Sequence, residues 1–173
     1  TAALSALGVA LSLMNRERTG AGDHVRTSLL HTALSIMNST LIEASVTGID
    51  RHGTGNRAQL AGPADCFVTT DGYVLIQVVG ASMFRRIATL VGHPEWLEDP
   101  RFATDETRGD NGAVLSEGVA AWCRDRTTAE CLASLDAAGI PSAPVVAPSD
   151  VLAHPAVAGR DFFTEVRAAN IPK

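Results

Sequence analysis

The side chains able to do chemistry in this chain are three cysteines, five histidines and a scatter of loop carboxylates. A cysteine nucleophile acts as the thiolate and needs a cationic neighbour or a helix N-terminus to form it. Cys123 has Arg124 and Arg126 nearby, yet it lies on a helical apolar pattern, which reads as a buried thiol. Cys66, Cys123 and Cys131 are odd in number and show no Cys-x-x-Cys spacing. That argues against a disulfide framework and a zinc site and for free buried thiols in a reducing cytosol. His24, His31, His52, His93 and His154 form no His-x-x-x-His or His-Glu-x-x-His pair, so a helical metal pair is not expected. His93 and His154 precede proline and read as turn residues. His52 sits in a Gly-rich loop and is the best placed of the five for a site, with a solvated loop histidine as the plainer reading. Among Asp50, Asp65, Asp71, Glu98, Asp99 and Asp105, a turn with Gly72 accounts for Asp71, and turn initiation before Pro100 accounts for Asp99. Asp65 lies between the Gly-rich loop and a strand and has no such explanation. Spacing alone gives none of these carboxylates an acid or base role.

The other candidate is backbone. Gly53-Thr54-Gly55-Asn56 is neither a P-loop nor a Gly-x-Gly-x-x-Gly motif, and Arg57 and a hairpin follow it instead of a phosphate-facing helix. Two glycines spaced by one let backbone approach a ligand closely, or let a loop move as a lid. A linker between two structural units uses the same residues, and both readings stand at this stage.

The elements that must position these groups follow from periodicity. Residues 2–14 are dense in Ala and Leu and predict a helix apolar on most faces, hence buried on most faces. Arg16 and Arg18 suit its last turn, and Gly20 and Gly22 stop it. His24 to Ser28 alternates like a short strand, and one further helix is expected from Ser28, its cap, to Thr47. Gly48 to Gly62 is a polar loop. A hairpin turns at Asp71-Gly72 between Phe67–Thr70 and Tyr73–Val79. Helices follow over Ser82–Val91, with Ser82 as cap, over Thr107–Arg124, and over Thr128–Ala138 with a Thr127/Glu130 capping box. Pro94–Leu97 is one helical turn, and Gly92 and Gly139 are stops. Pro141–Val146 is extended, Ser149 or Asp150 caps a short helix, and Phe162–Val166 is a last strand. The order gives a mixed α and β fold with one antiparallel element.

Composition narrows the class. A chain of 173 residues, 46% hydrophobic and 19% charged, folds around a core. A net charge of −5 with no basic cluster beyond Arg85-Arg86 argues against a nucleic-acid partner. Asn15, Arg16 and Arg18 cut the first apolar stretch short of the ~18 residues a membrane helix needs, and it has no basic leader. The chain starts at Thr1, which reads as a processed product or a piece of something longer.

Four segments together carry a resemblance. They are Met14-Asn15-Arg16-Glu17-Arg18-Thr19-Gly20-Ala21-Gly22-Asp23-His24-Val25-Arg26-Thr27-Ser28-Leu29-Leu30; Gly72-Tyr73-Val74 after Thr-Thr-Asp; Asp99-Pro100-Arg101-Phe102-Ala103-Thr104 with Arg108; and Ala138-Gly139-Ile140-Pro141-Ser142-Ala143-Pro144-Val145 followed by His154-Pro155. In order and spacing the chain resembles family III CoA-transferases, the CaiB/BaiF group. His24 and Arg26 stand where the family's motif has Gln and Asp, and His31 where it commonly has an acidic residue.

The resemblance implies an α/β fold and the C-terminal half of such an enzyme. Residues 1–48 would be helix-strand-helix of the large CoA-binding domain, 49–62 a Gly-rich linker loop, 63–140 the small α+β domain, and 141–173 a segment returning to the large domain. It implies an interlocked dimer in the cytoplasm, with acyl-CoA and carboxylic acids as substrates, CoA thioester as substrate and not covalent cofactor, and no metal. It implies nucleophilic catalysis by an aspartate, through a mixed anhydride and an aspartyl-CoA thioester. Alignment at Gly8 places that aspartate upstream of Thr1, so no catalytic residue is expected in this chain, which alone would be inactive. The carried-over site residues are Gly53, Gly55 and Asn56, in the loop that closes over the active site. The alternatives are a racemase of the same family, a stand-alone binding or scaffold module, and, more remotely, a cysteine- or histidine-based enzyme.

Overall fold

A computed structural model of the chain describes residues 1–160 and 162, and it divides into two units, Thr1–Gly53 and Thr54–Lys173. The expected strand at Phe162–Val166 lies, apart from Phe162, outside the described residues.

The first unit is helical. Helix α1 (Ala2–Thr19) ends at Gly20, whose φ of +73° is the left-handed stop expected from the sequence. Its contact face is a stripe of small residues, Ser5, Gly8 and Ser12, half-buried one turn apart. Gly8 is needed there, because a Cβ would meet Val25 Cγ1 at 2.9 Å. The leucines around the rest of the helix are not buried: Leu7 is 55% and Leu11 57% exposed. The expectation of burial on most faces fails because the unit supplies only a single layer against α1. Residues His24–Ser28 are not a strand, since none of the described residues pairs with them, and a ladder needs a partner. The expected single helix from Ser28 to Thr47 is two, α2 (Leu29–Ile36) and α3 (Asn38–Thr47). Met37 interrupts it at φ −84°, ψ +10°, just before Asn38, Ser39 and Thr40, three weak helix formers. Ser28 does cap α2, its Oγ accepting the His31 N–H at 3.1 Å.

The second unit is mixed α and β. Strands β1 (Ala64–Val68), β2 (Tyr73–Gln77) and β3 (Ser142–Pro144) form an antiparallel sheet with β2 central. Phe67, Val74 and Ile76 point from it into a core shared with Phe84, Ile87, Trp96, Phe102, Leu115, Val119 and Leu135. Trp96 and Phe102 meet Phe84 at ring-centroid distances of 6.4 and 6.2 Å. The hairpin turn is one residue earlier than the sequence suggests. Thr69 N–H donates to the Gly72 C=O at 3.0 Å, and neither Asp71 nor Gly72 has a positive φ. Asp71 Oδ1 instead accepts the Thr128 N–H at 2.7 Å and the Thr128 hydroxyl at 2.8 Å. That contact outcompetes the tight two-residue turn.

Helix α4 (Ala81–Val91) starts one residue early, after Gly80, and Ser82 does not cap it. The expected helix over Thr107–Arg124 breaks at Asn111 into α5 (Asp105–Asp110) and α6 (Gly112–Arg124). The Asn111 side-chain amide turns back to the Thr107 carbonyl at 2.9 Å and competes with the helix ladder. Helix α7 (Thr128–Ala137) has the expected capping box between Thr127 and Glu130. Helix α8 (Pro148–Ala153) begins at proline with no side-chain cap, so neither Ser149 nor Asp150 plays that part. His154 ends α8 and caps α9 (Pro155–Ala158) through Nδ1, which accepts the Ala156 N–H at 3.2 Å.

Candidate functional site

The Gly-rich loop has a held base and an open tip. At its entrance, in the first unit, Arg51 grips the Glu43 carboxylate of α3 with Nε (3.0 and 3.2 Å) and Nη2 (2.6 Å). This pairing holds the Glu43 carboxyl below its ordinary value. The tip residues Gly53, Gly55 and Asn56 are exposed. A Cβ at Gly53 or Gly55 would meet nothing within 4 Å, and Gly55 sits at φ +71°, a conformation glycine adopts without strain. His52 is exposed.

The base lies in the second unit. Thr54 Oγ1 donates to the Arg57 carbonyl at 2.6 Å and accepts from Gln59 Nε2 at 3.2 Å. The Ala58 N–H donates to the Ala64 C=O at 2.8 Å. Gln59 to Gly62 then runs directly over α5 and the start of α6. At Gly109 a Cβ would stand 2.2 Å from the Gln59 carbonyl oxygen; at Gly62 it would stand 3.1 Å from the Arg108 carbonyl oxygen. Backbone touches backbone here because both residues are glycine.

Beneath this contact lies Arg108, only 2% exposed. Its Nη1 donates to the Phe102 carbonyl at 2.7 Å, its Nη2 to Asp105 Oδ1 at 2.5 Å, and its guanidinium carbon sits 4.7 Å from the centre of the Phe84 ring. Among the described residues its Nε has no hydrogen-bond partner. Asp105 also accepts the Gly80 N–H at 2.9 and 3.1 Å, which ties α5 to the start of α4. The Arg108 hydrogen bond depresses the Asp105 carboxyl, with burial opposing it. Sequence reasoning marked Arg108 only as part of a resemblance and missed Gly109 and Gly112. The available signal was glycine inside a helical pattern, which costs stability unless close packing requires it.

The other candidates separate from the loop tip. Asp65, without a role in the sequence, bridges β1 to α6: Oδ2 accepts the Ser116 hydroxyl at 2.9 Å, and Oδ1 accepts the Cys66 N–H at 2.8 Å. Cys123 and Cys131 are fully buried in the core. Burial pushes the Cys123 thiol up to about 12 and raises Cys131 too. Cys66 is raised by burial first and then by the Asp65 charge. Burial of Cys123 and Cys131 and the upward shift of all three thiols run against the accessible thiolate that a cysteine nucleophile needs. His93 stacks on Trp96 with ring centroids 4.5 Å apart, and its Nδ1 meets Glu95 Oε1 at 2.7 Å, as befits a turn residue. Among the described residues, no group of three His, Cys, Asp or Glu could hold a metal ion, and no helix is long and apolar enough to cross a membrane.

Comparison with known proteins adds to this geometry. Residues 1–172 match the model for CoA-transferase family III. The chain is 32% identical over 155 residues to the succinyl-CoA–D-citramalate CoA-transferase of Chloroflexus aurantiacus, covering 89% of this chain and 39% of that protein. Among solved structures it resembles Rv3272 from Mycobacterium tuberculosis, with a TM-score of 0.72, 26% identity, and coverage of 95% of this chain and 43% of the other. A CaiB/BaiF family protein from Brucella suis gives a TM-score of 0.68 at 25% identity, covering 95% of this chain and 46% of that one. The chain thus spans less than half the length of each of these relatives.

Proposed function

The chain belongs to CoA-transferase family III, and from that membership we propose that it is the C-terminal part of an enzyme moving CoA between carboxylic acids. The observation that carries this is the family match along residues 1–172, joined to relatives named for CoA transfer.

In the proposed reaction a carboxylate attacks the acyl-CoA thioester carbonyl and expels CoA thiolate, leaving a mixed anhydride. The thiolate then attacks the enzyme's aspartyl carbonyl, releasing the first acid and leaving aspartyl-CoA. The second acid repeats the two steps in reverse and leaves as its CoA thioester. The aspartate lies outside this chain, and CoA enters as substrate. The role proposed for the chain is to position the loop. Gly53, Gly55 and Asn56 close over the reacting thioester, excluding water that would hydrolyse the anhydride. The open tip and the held base support this reading, because a lid needs a fixed hinge and free space at its end.

Residues 1–48 are assigned to the large domain, 49–62 to the loop, 63–140 to the small domain and 141–173 to the returning segment, in a cytoplasmic interlocked dimer. The exposed leucines of α1 support a covering partner surface. They run against the stand-alone scaffold module, which expects no exposed core-type helix. The racemase alternative replaces transfer by exchange of the proton α to the thioester.

The test is CoA transfer measured for this chain alone and with the N-terminal half supplied, alongside deuterium exchange at the α-carbon. Transfer only in the joined sample supports the proposal. Robust turnover by the lone chain refutes the placement of the nucleophile, and exchange without transfer favours the racemase.

A further inference from the structure

Arg108 is a charged side chain sealed inside the second unit, 2% exposed. An apolar side chain would fill the same space without the cost of desolvating a guanidinium. What the fork adds is direction. Nη1 is fixed on the Phe102 carbonyl at 2.7 Å and Nη2 on Asp105 Oδ1 at 2.5 Å, with the Phe84 ring against one face. Phe102 belongs to the helical turn Pro100–Phe102 and Phe84 to α4, and Asp105 holds the Gly80 N–H just ahead of α4. Helix α5 has only six residues and breaks at Asn111, so its orientation depends on these anchors.

The residue so anchored is also the seat of the loop. Its own carbonyl oxygen lies under Gly62, and the next residue, Gly109, lies under the Gln59 carbonyl. From Gln59 the connection continues by side chain. Gln59 Nε2 donates to Thr54 Oγ1 at 3.2 Å, and Thr54 Oγ1 donates to the Arg57 carbonyl at 2.6 Å. Thr54 and Arg57 flank the tip residues Gly55 and Asn56. A continuous series of contacts therefore joins the buried guanidinium to the tip, all of it within the second unit. At the seat the contact is backbone on backbone, so a shift of α5 moves Gln59 and is not absorbed by a change of rotamer.

We infer that Arg108 is a positioning residue for CoA transfer: through Gln59 and Thr54 it holds the Gly55–Asn56 tip where the tip shields the reacting acyl group from water. The inference rests on the lid reading above and adds the residue that sets the lid's position. Arg108 acts through the loop and not on the reacting atoms. Its loss shows as a leak. Water attacking the acyl carbonyl breaks the thioester or anhydride, the acyl group leaves as its acid, and CoA ends as the free thiol. Transfer instead returns CoA in a thioester, so free thiol counts the leak.

The experiment uses the enzyme formed with the N-terminal half, well below the thermal midpoint of every variant. Acetyl-CoA, propionyl-CoA and succinyl-CoA are the donors and succinate the acceptor, and free thiol released per transfer is measured. Arg108→Met and Gln59→Leu should each raise that ratio about tenfold. The double variant should leak no more than the worse single, because both cut one connection. Arg108→Lys, which keeps a buried donor, should lie between parent and Arg108→Met. A parent-like ratio in Arg108→Met, or additive effects in the double variant, overturns the inference. Gln59 is only half-buried, so Gln59→Leu and Arg108→Lys carry the test if Arg108→Met does not fold, and parent-like ratios in both overturn it. Gly55→Val, strained at φ +71°, tests the lid itself. A leak in Gly55→Val without one in Arg108→Met refutes Arg108 alone, and no leak in Gly55→Val refutes the lid reading. A parent that transfers from none of the donors removes that reading and the inference with it.

Discussion

Replacing Gly109 by alanine tests whether backbone contact at α5 sets the loop's base. The new Cβ would lie 2.2 Å from the Gln59 carbonyl oxygen, 2.6 Å from its carbon and 3.0 Å from the Leu60 nitrogen. All three obstacles are backbone, so no side chain can swing aside. Relief requires Gln59 and Leu60 to retreat by about 1 Å, and overpacking of this kind costs about 1–3 kcal/mol. Opposing it, alanine is a better helix former than glycine by roughly 0.5–1 kcal/mol. The steric term wins, leaving a net loss of about 1–2 kcal/mol. At roughly 2–4 °C per kcal/mol for a chain of this length, the thermal midpoint should fall by about 5 °C. In an enzyme carrying the rest of the chain, a misplacement of about 1 Å at the loop should lower transfer by up to ~100-fold. Gly53→Ala, where a Cβ meets open space, is the control and should leave the midpoint unchanged. A Gly109→Ala protein as stable as the parent, or more stable, would mean the loop is not seated on α5 and would refute the hinge.

Further expectations can be checked on the chain itself. Cys123 and Cys131 should resist alkylation by iodoacetamide at pH 7 until the protein unfolds, since both are buried neutral thiols; rapid native-state labelling would contradict this. The Asp105 carboxyl is depressed below its ordinary 3.8 by Arg108. Its stabilising contribution is therefore complete above that value and lost as pH falls through the lower folded one. Urea unfolding from pH 7 to pH 3 should show the parent losing stability faster than Asp105→Asn below pH 4, with parallel slopes refuting the coupling. Thr127→Ala removes the oxygen that accepts the Glu130 N–H at 3.2 Å and should cost about 1 kcal/mol in chemical unfolding.

The elements legible in the sequence were those with local causes. Ser28 caps α2, Thr127 and Glu130 box the start of α7, and Gly20, Gly92 and Gly139 end helices at positive φ, because each acts within a few residues of itself. The hairpin was legible for the same reason, but its turn was not. Asp71 is drawn to Thr128, a partner 57 positions away that no local pattern reveals. Asn111 cut a helix that hydrophobic periodicity had joined, through a side-chain bond that periodicity does not register. At the candidate site the tip glycines were legible as permissive backbone. The seat beneath them was not, because Gly109 and Gln59 are distant in sequence and meet only through backbone.

The sheet's strand order also sets the sequence of its assembly. Strands β1 and β2 are neighbours in the chain and can zip together as soon as both leave the ribosome. The other edge of β2 waits for Ser142–Pro144, which emerges only after α4 to α7 have been made. Until then Val74 and Ile76 belong to a ribbon with an open edge, exposed to pairing with a neighbouring nascent chain. A three-residue edge strand held by a short ladder is expected to open before β1 and β2 part. Proteolysis near Pro141 should therefore report the earliest breathing of this unit, well before its core melts.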